Sequence, residues 1–428
     1  MSKKQKNNSL FNFGKAGWGT IIFCMAMFWF FVGFCTDGNN VTAPAVAEHL
    51  GIESGTVLQM NSYGGMIGVV FYILMGQLTK KMGARKVSGI ALLISGVAYI
   101  VMGNCPNLAV YTIAYICLMG SIMSAGYVVG GALVAQWFPK RKGVVMGYTT
   151  MGLNIASATW VPMMTMIVNR IGFEKGVIIP SVLVAILAVI GWIFMRNTPQ
   201  ERGINPDGVS DEVFAKEYDT DDSEHDSRWT VKKLLSTRAM WTVAIATGIL
   251  QCCSTGVMSQ LVVRNQELGM SPTQAVSMMT LIAVIGIFGS WLIGVFDDMF
   301  GTKKVMIIFC IWYALAILAN VTDTKWGMYL AVFMIGISIG GSANFMTSFP
   351  SSVFGRHGFE TVNSVIFPIQ SIITASAFLV DGISLNATGS LRWSYLVLAI
   401  IAIINILFIA LTKDKEFNLD WQKKEQEA

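Results

Sequence analysis

One carboxylate stands where apolar residues otherwise dominate. Asp37 lies in Phe34-Cys35-Thr36-Asp37-Gly38-Asn39-Asn40, directly after the apolar run 18–35, and no Lys or Arg occurs between Lys15 and Lys80. An ionisable side chain inside an apolar helix is costly and marks a functional site by default. With no fixed cation beside it in sequence, Asp37 has three chemistries open to it. It can carry a proton, pair with a cationic group on a ligand, or act as a structural acid hydrogen-bonded by Asn39, Asn40 or another helix.

Other polar side chains fall at intervals in the apolar segments: Asn40 in the first, Asn61 and Tyr63 in the second, Tyr127 in the fourth and Asn154 in the fifth. Gln251, Asn344 and Gln370 follow in the seventh, tenth and eleventh. Taken together they predict a polar, weakly charged pocket for a small molecule. Taken singly, each is more often a hydrogen bond between membrane helices than a ligand contact. Enzyme signatures are missing: the chain has no G-x-S-x-G, no H-E-x-x-H and no phosphate-binding loop. His49, His225 and His357 are too scattered for a metal site, and seven cysteines in mostly apolar surroundings form neither a disulfide framework nor a metal spacing. No cofactor is expected.

The elements that must hold these residues are membrane helices. The 428 residues are 54% hydrophobic and 13% charged, against about 25% charged in a soluble domain. Runs such as 87–102, 108–135 and 177–195 are continuously apolar rather than alternating, which points to helices of about 20 residues and away from a barrel. The pattern predicts twelve: 17–47, 55–78, 86–104, 107–136, 143–168 and 175–196, then 238–263, 272–297, 303–321, 326–351, 360–381 and 391–412. A polar, charge-rich stretch divides six from six. The expected organisation is therefore an N-terminal bundle over 1–196, a linker over 197–237, a C-terminal bundle over 238–412 and a tail over 413–428. The net charge of +5 is explained by position rather than by nucleic acid: 25 of the 30 Lys and Arg residues fall on one side of the predicted topology, leaving Arg170, Lys175, Arg264, Lys325 and Arg392 on the other. The positive-inside rule then puts both termini in the cytoplasm of a cell with the chain in its plasma or inner membrane. Lys3, Lys4 and Lys6 precede a first apolar run too long for a signal peptide, so the first helix is expected to remain uncleaved.

The halves echo each other. Gly76-Gln77-Leu78-Thr79-Lys80-Lys81-Met82-Gly83-Ala84-Arg85-Lys86 follows the second helix, and Gly294-Val295-Phe296-Asp297-Asp298-Met299-Phe300-Gly301-Thr302-Lys303-Lys304 follows the eighth, 218 residues on. Both carry Gly at the first and eighth places and a basic pair at the end. These paired loops resemble the signature loop of the major facilitator superfamily, and the resemblance covers the whole chain. Gln136-Trp137-Phe138-Pro139, with Arg141, Gly143, Gly147 and Gly152, is similar to the oxalate/formate antiporter and monocarboxylate branch; so is Pro199, Glu201, Gly203, Pro206-Asp207-Gly208.

The resemblance implies an all-α fold of two six-helix bundles around a central cavity, a monomer that moves a small solute by alternating access, driven by protons or by an exchanged solute. In the superfamily an acid at the fifth loop place faces a helix N-terminus of the other half, where the helix dipole favours negative charge. Asp298 fits that role opposite the start of the fifth helix. In the first loop Lys80 holds the acid's place, so a charge-swapped contact with Glu360 is expected instead. Where dianion transporters carry basic residues in helices eight and eleven, this chain has Ser290 and Gln370, and Ile339 and Ala343 replace the aromatics of helix ten. An unpaired buried charge is expensive. The expected substrate is accordingly a monocarboxylate-like organic acid entering with a proton or by exchange; the alternative is export of a hydrophobic or cationic compound with Asp37 as counter-ion.

Overall fold

A computed structural model gives the architecture, and it describes residues 13–139, 141–212, 214, 229–355 and 359–418. The described chain is helical throughout, with no strand among these residues. Twelve helices are long and apolar enough to cross a bilayer. They are α1 (Gly14–Cys35), α2 (Ser54–Met82), α3 (Ala84–Gly103), α4 (Leu108–Trp137), α5 (Val144–Ile171) and α6 (Phe173–Phe194). The second set is α7 (Arg238–Ser259), α8 (Pro272–Asp297), α9 (Thr302–Val321), α10 (Lys325–Phe354), α11 (Thr361–Thr388) and α12 (Arg392–Leu411). The helix ends nearest both termini and the linker are termed inner, the opposite ends outer.

Buried apolar side chains form two clusters, one built mainly from α1–α6 and one mainly from α7–α12. Outside them the helices present large apolar residues such as Trp291, Phe288 and Leu407. In water such exposure would be a liability, whereas hydrocarbon solvates it.

Two of the predicted helices are interrupted. The first does not run unbroken over 17–47: α1 stops at Cys35, and a separate helix, Asn39–Leu50, resumes after a turn at 36–38. Thr36 leaves helical geometry (φ −117°, ψ −89°). A Cβ on Gly38 would lie 1.7 Å from Gly33 O, so only glycine lets the chain fold back this tightly. Short polar side chains reinforce the break by bonding locally, Thr36 Oγ1 to Val32 O and Asn39 Nδ2 to Cys35 O. The seventh helix breaks in the same way at Gln260 and resumes as Leu261–Glu267.

The signature loops share one backbone conformation. Gly83 (φ 83°, ψ 152°) and Gly301 (φ 85°, ψ 142°) start α3 and α9 from positive φ, which explains glycine at the eighth place of both repeats. Gly76 and Gly294, at the first place, have no atom within 3.5 Å of where a Cβ would stand.

Candidate functional site

Asp37 occupies the turn that breaks α1. It is 3% exposed, and its Oδ2 has no hydrogen-bond partner. The hydroxyls of Thr36 and of Ser157 on α5 approach the carboxyl. Trp160, also on α5, closes the turn from one side: its indole fills the space where Gly33 would carry a Cβ, and it meets Phe34, Trp29 and Phe30 edge-on at ring-centroid distances of 5.3, 4.7 and 6.0 Å. Among the described residues no Lys or Arg acts on this carboxyl. Among the described residues the one buried basic side chain is Arg264, which is bonded to Asn320 Oδ1 (2.9 Å), Glu267 (2.9 Å) and Asp323 at the outer end.

The amides around Asp37 are committed to one another. Asn61 Nδ2 donates to Asn39 Oδ1 (3.1 Å), Asn61 Oδ1 accepts from Tyr111 OH (2.5 Å), and Thr42 Oγ1 donates to Asn39 Oδ1 (3.3 Å). Asn61 is wholly buried, so its amide ties α2 to α4 and to the broken first helix. Asn40 crosses to the other half. Its Nδ2 donates to Met258 O (2.7 Å) and to Asp37 O (2.9 Å), while its Oδ1 accepts from Val262 N (2.8 Å).

The other sequence-selected residues lie on separate helices. Tyr127 stands in a widened turn, 125–129, where Gly130 N bonds to Ala125 O; such π-bulges in helices often accompany functional sites. Its ring packs on Phe28 (4.8 Å), Phe31 (5.7 Å) and Phe367 of α11 (4.4 Å). Tyr72 joins the same layer through Phe367 (5.6 Å) and through its hydroxyl, 3.4 Å from Ser371 Oγ. Gln370 Nε2 donates to Thr247 Oγ1 and leaves Oε1 unpartnered, as is Oε1 of Gln251 on α7. Asn344 Nδ2 donates to Ser290 O (3.4 Å), and Asn154 is half-buried on α5.

At the outer ends the halves meet closely. A Cβ on Gly382 would lie 2.4 Å from Gly55 O, one on Gly55 would lie 2.5 Å from Gly382 O, and Asn386 Nδ2 donates to Thr56 Oγ1 (3.0 Å) across the seam between α2 and α11. The α5–α8 seam is joined by Thr280 Oγ1 donating to Ala158 O (3.0 Å).

The signature loops do more local work than their sequence suggested. Arg85 donates through Nε to Trp192 O (2.8 Å), capping the inner end of α6. Lys303 caps α12 by donating to Ala410 O (3.0 Å) and Thr412 O (2.7 Å). Lys86 turns its side chain outward, and its backbone carbonyl accepts from Trp192 Nε1 (3.2 Å). Lys80 is exposed in the last turn of α2. The side chains of Asp298 and Glu360 lie outside the described residues, and with them both expected gate contacts.

Two buried acids escaped the sequence reading. Asp381, the last residue of the predicted eleventh helix (360–381), is fully buried, accepts from Ser394 Oγ, lies near Ser259 at the α7 break and leaves Oδ2 unpartnered. The helix α11 extends to Thr388 rather than ending at 381, so Asp381 is two turns inside it. Asp207, in the linker turn Pro206–Gly208, is 1% exposed and accepts from Arg141 N (3.2 Å) just before α5. The linker thus brings an acid to the start of α5. Only the Pro-Asp-Gly turn signal hinted at it.

Twelve spans in two halves, each with a broken first helix, define a membrane carrier fold. The sequence profile of the Major Facilitator Superfamily matches residues 20–378 and 267–428. The chain belongs to that superfamily and is a membrane transporter rather than an enzyme. It is 20% identical over 299 residues to YhjX of Escherichia coli (strain K12), an uncharacterized MFS-type transporter, covering 68% of this chain and 70% of that one. Among solved structures it resembles a D-xylose-proton symporter (TM-score 0.70, 12% identity, 93% of this chain and 98% of that one). It also resembles the nucleoside transporter NupG (TM-score 0.68, 14% identity, 92% and 100%). A third is a bacterial homolog of the lysosomal transporter Spinster, captured inward-facing and occupied (TM-score 0.65, 13% identity, 92% and 96%).

Proposed function

We propose that the chain carries a small monocarboxylate-like organic acid across the cell membrane by alternating access, coupled to a proton or to an exchanged solute, with Asp37 as the group that couples. The observation that carries this reading is the Asp37 carboxyl itself, buried in a helix break with one oxygen unpartnered and no cation beside it. A buried carboxylate in that position is costly, and neutralising it by a proton or by a ligand relieves the cost. A dianion fits poorly, because the one buried basic side chain described, Arg264, is already paired. A monocarboxylate needs only one compensating proton.

One observation favours the alternative, export of a hydrophobic or cationic compound. Trp160, Trp29 and Phe34 form an aromatic wall beside the break, and aromatic faces attract cations. With either reading we propose a monomer with both termini in the cytoplasm and a gate in which Asp298 faces the start of α5 and Lys80 faces Glu360. Zero coupling in a Lys80→Ala/Glu360→Ala cycle on transport rate removes the second contact.

The deciding experiment is thermal stabilisation of the purified protein by lactate and pyruvate, oxalate and malonate, xylose and uridine, and tetraphenylphosphonium. A ligand at a hundred times its dissociation constant adds about 2.7 kcal/mol. Stabilisation by the monocarboxylates alone is the expected result. Stabilisation by tetraphenylphosphonium alone replaces the organic-acid reading with the exporter, and stabilisation by xylose or uridine alone removes both.

A further inference from the structure

Asn40 is the only side chain described that bonds to the breaks in both first helices of the two halves, and it uses all its hydrogen-bonding groups to do so. One Nδ2 proton goes to Asp37 O, inside the α1 turn, and the other to Met258 O, at the end of α7. Its Oδ1 takes the amide of Val262, the donor that α7 loses by breaking at Gln260. Beside the α7 break, and within the C-terminal half, Tyr395 OH donates to Val257 O (3.1 Å) and Gln260 Nε2 to Ser259 O (2.7 Å). Asn40 thus gives the α7 break a donor and an acceptor from the opposite half. Asn40 is 5% exposed, so water does not take its place.

We infer that Asn40 is a positioning residue that transmits the state of the Asp37 turn to the outer contact between the halves. The inference rests on the alternating-access reading above. Movement of residues 36–38, when Asp37 gains or loses its charge or a ligand, displaces the carbonyl that holds one Nδ2 proton. The same amide group then loses its alignment on Met258 and Val262. Two buried backbone groups of α7 are left unpaired together, which is expensive unless the outer ends part and admit water. Thr56–Asn386 closes the same outer side but touches neither break, so it latches without transmitting.

The test uses spin labels at Glu48 and Gln266, both exposed beyond the two breaks, in full-length protein with Cys117→Ser; the other six cysteines are buried. Electron–electron double resonance in phosphatidylethanolamine/phosphatidylglycerol vesicles reads the outer distance. N40D retains the acceptor for Val262 N and loses both donors, and about a tenfold rise in the ratio of long to short distance is expected. Asp37→Asn is expected to change that ratio in protein with Asn40 and in N386A, and to leave it unchanged in the N40D background. An Asp37→Asn shift that persists in N40D, or no shift with Asn40 present, overturns the inference while leaving alternating access intact. A single fixed distance in every variant overturns the transport reading as well. Should N40D fail to fold, amide hydrogen exchange at Val262 decides with Asn40 intact. Faster exchange in Asp37→Asn supports the coupling, and unchanged exchange overturns it.

Discussion

Arg85 Nε lies 2.8 Å from Trp192 O, and 218 residues further on Lys303 Nζ makes the corresponding contact with Ala410 O at 3.0 Å. Donor and acceptor are each displaced by the same 218 residues, so the contact belongs to the repeat and not to either half. In both halves a basic residue of the signature loop caps the C-terminal end of the last helix, where unpaired carbonyls and the helix dipole favour a cation.

Arg85→Ala therefore leaves Trp192 O without its donor. The expected loss is about 1.5–3 kcal/mol, the range for hydrogen bonds to charged groups, read as a lower apparent melting temperature in detergent. Arg85→Lys is expected to recover much of it, because lysine makes the equivalent contact at Lys303. Equal melting of Arg85→Ala and wild type would show that the cap contributes nothing.

The Gly55–Gly382 seam predicts a block in movement rather than in folding. A methyl group on Gly382 would meet Gly55 O at 2.4 Å, against backbone that has no flexible end to yield. Gly382→Ala is expected to hold the outer ends apart while each half keeps its own core. Overpacking costs of about 1–3 kcal/mol are enough to reverse a two-state equilibrium. The measurement is labelling of a cysteine at Thr56 by a membrane-impermeant maleimide from outside, expected to speed up at least tenfold in Gly382→Ala. Unchanged labelling would mean that the seam adapts.

The sequence made the helices legible because hydrocarbon imposes a single requirement, about 20 apolar residues with internally bonded backbone, and the repeat made the loops legible. The breaks at 36–38 and at Gln260 were not legible. Each is completed by side chains from distant helices: Trp160 against Gly33, and Asn40 filling the gap in α7. Nor could sequence separate an amide that binds ligand from one that binds protein. Asn61 and Asn154 look alike in the sequence, yet Asn61 is wholly engaged by Asn39 and Tyr111.

Asp207 shows the same limit from the other direction, since a residue of the polar linker supplies a buried cap to α5. Asp207→Ala is expected to lower stability by about 0.5–2 kcal/mol, as for other N-caps, while Asp207→Asn retains an oxygen that accepts from Arg141 N. Apparent melting temperatures of the two variants check this. If asparagine is as damaging as alanine, the negative charge rather than the hydrogen bond sustains the contact.

Asp37 and Asp381 are both buried with one oxygen unpartnered, but their neighbours differ. Asp381 is held by Ser394 on α12 and lies near Ser259, all within the C-terminal half. Asp37 sits in the turn that Asn40 links to the opposite half. Asp381→Asn is accordingly expected to change apparent melting temperature while keeping whatever stabilisation lactate or pyruvate gives the wild type. Asp37→Asn is expected to reduce that stabilisation at least fivefold in half-saturating concentration, or to keep binding and abolish uptake driven by a proton gradient in vesicles. The first outcome makes Asp37 part of the binding site and the second makes it the coupling group. Retention of both binding and driven uptake in Asp37→Asn, with their loss in Asp381→Asn, would transfer the function to α11.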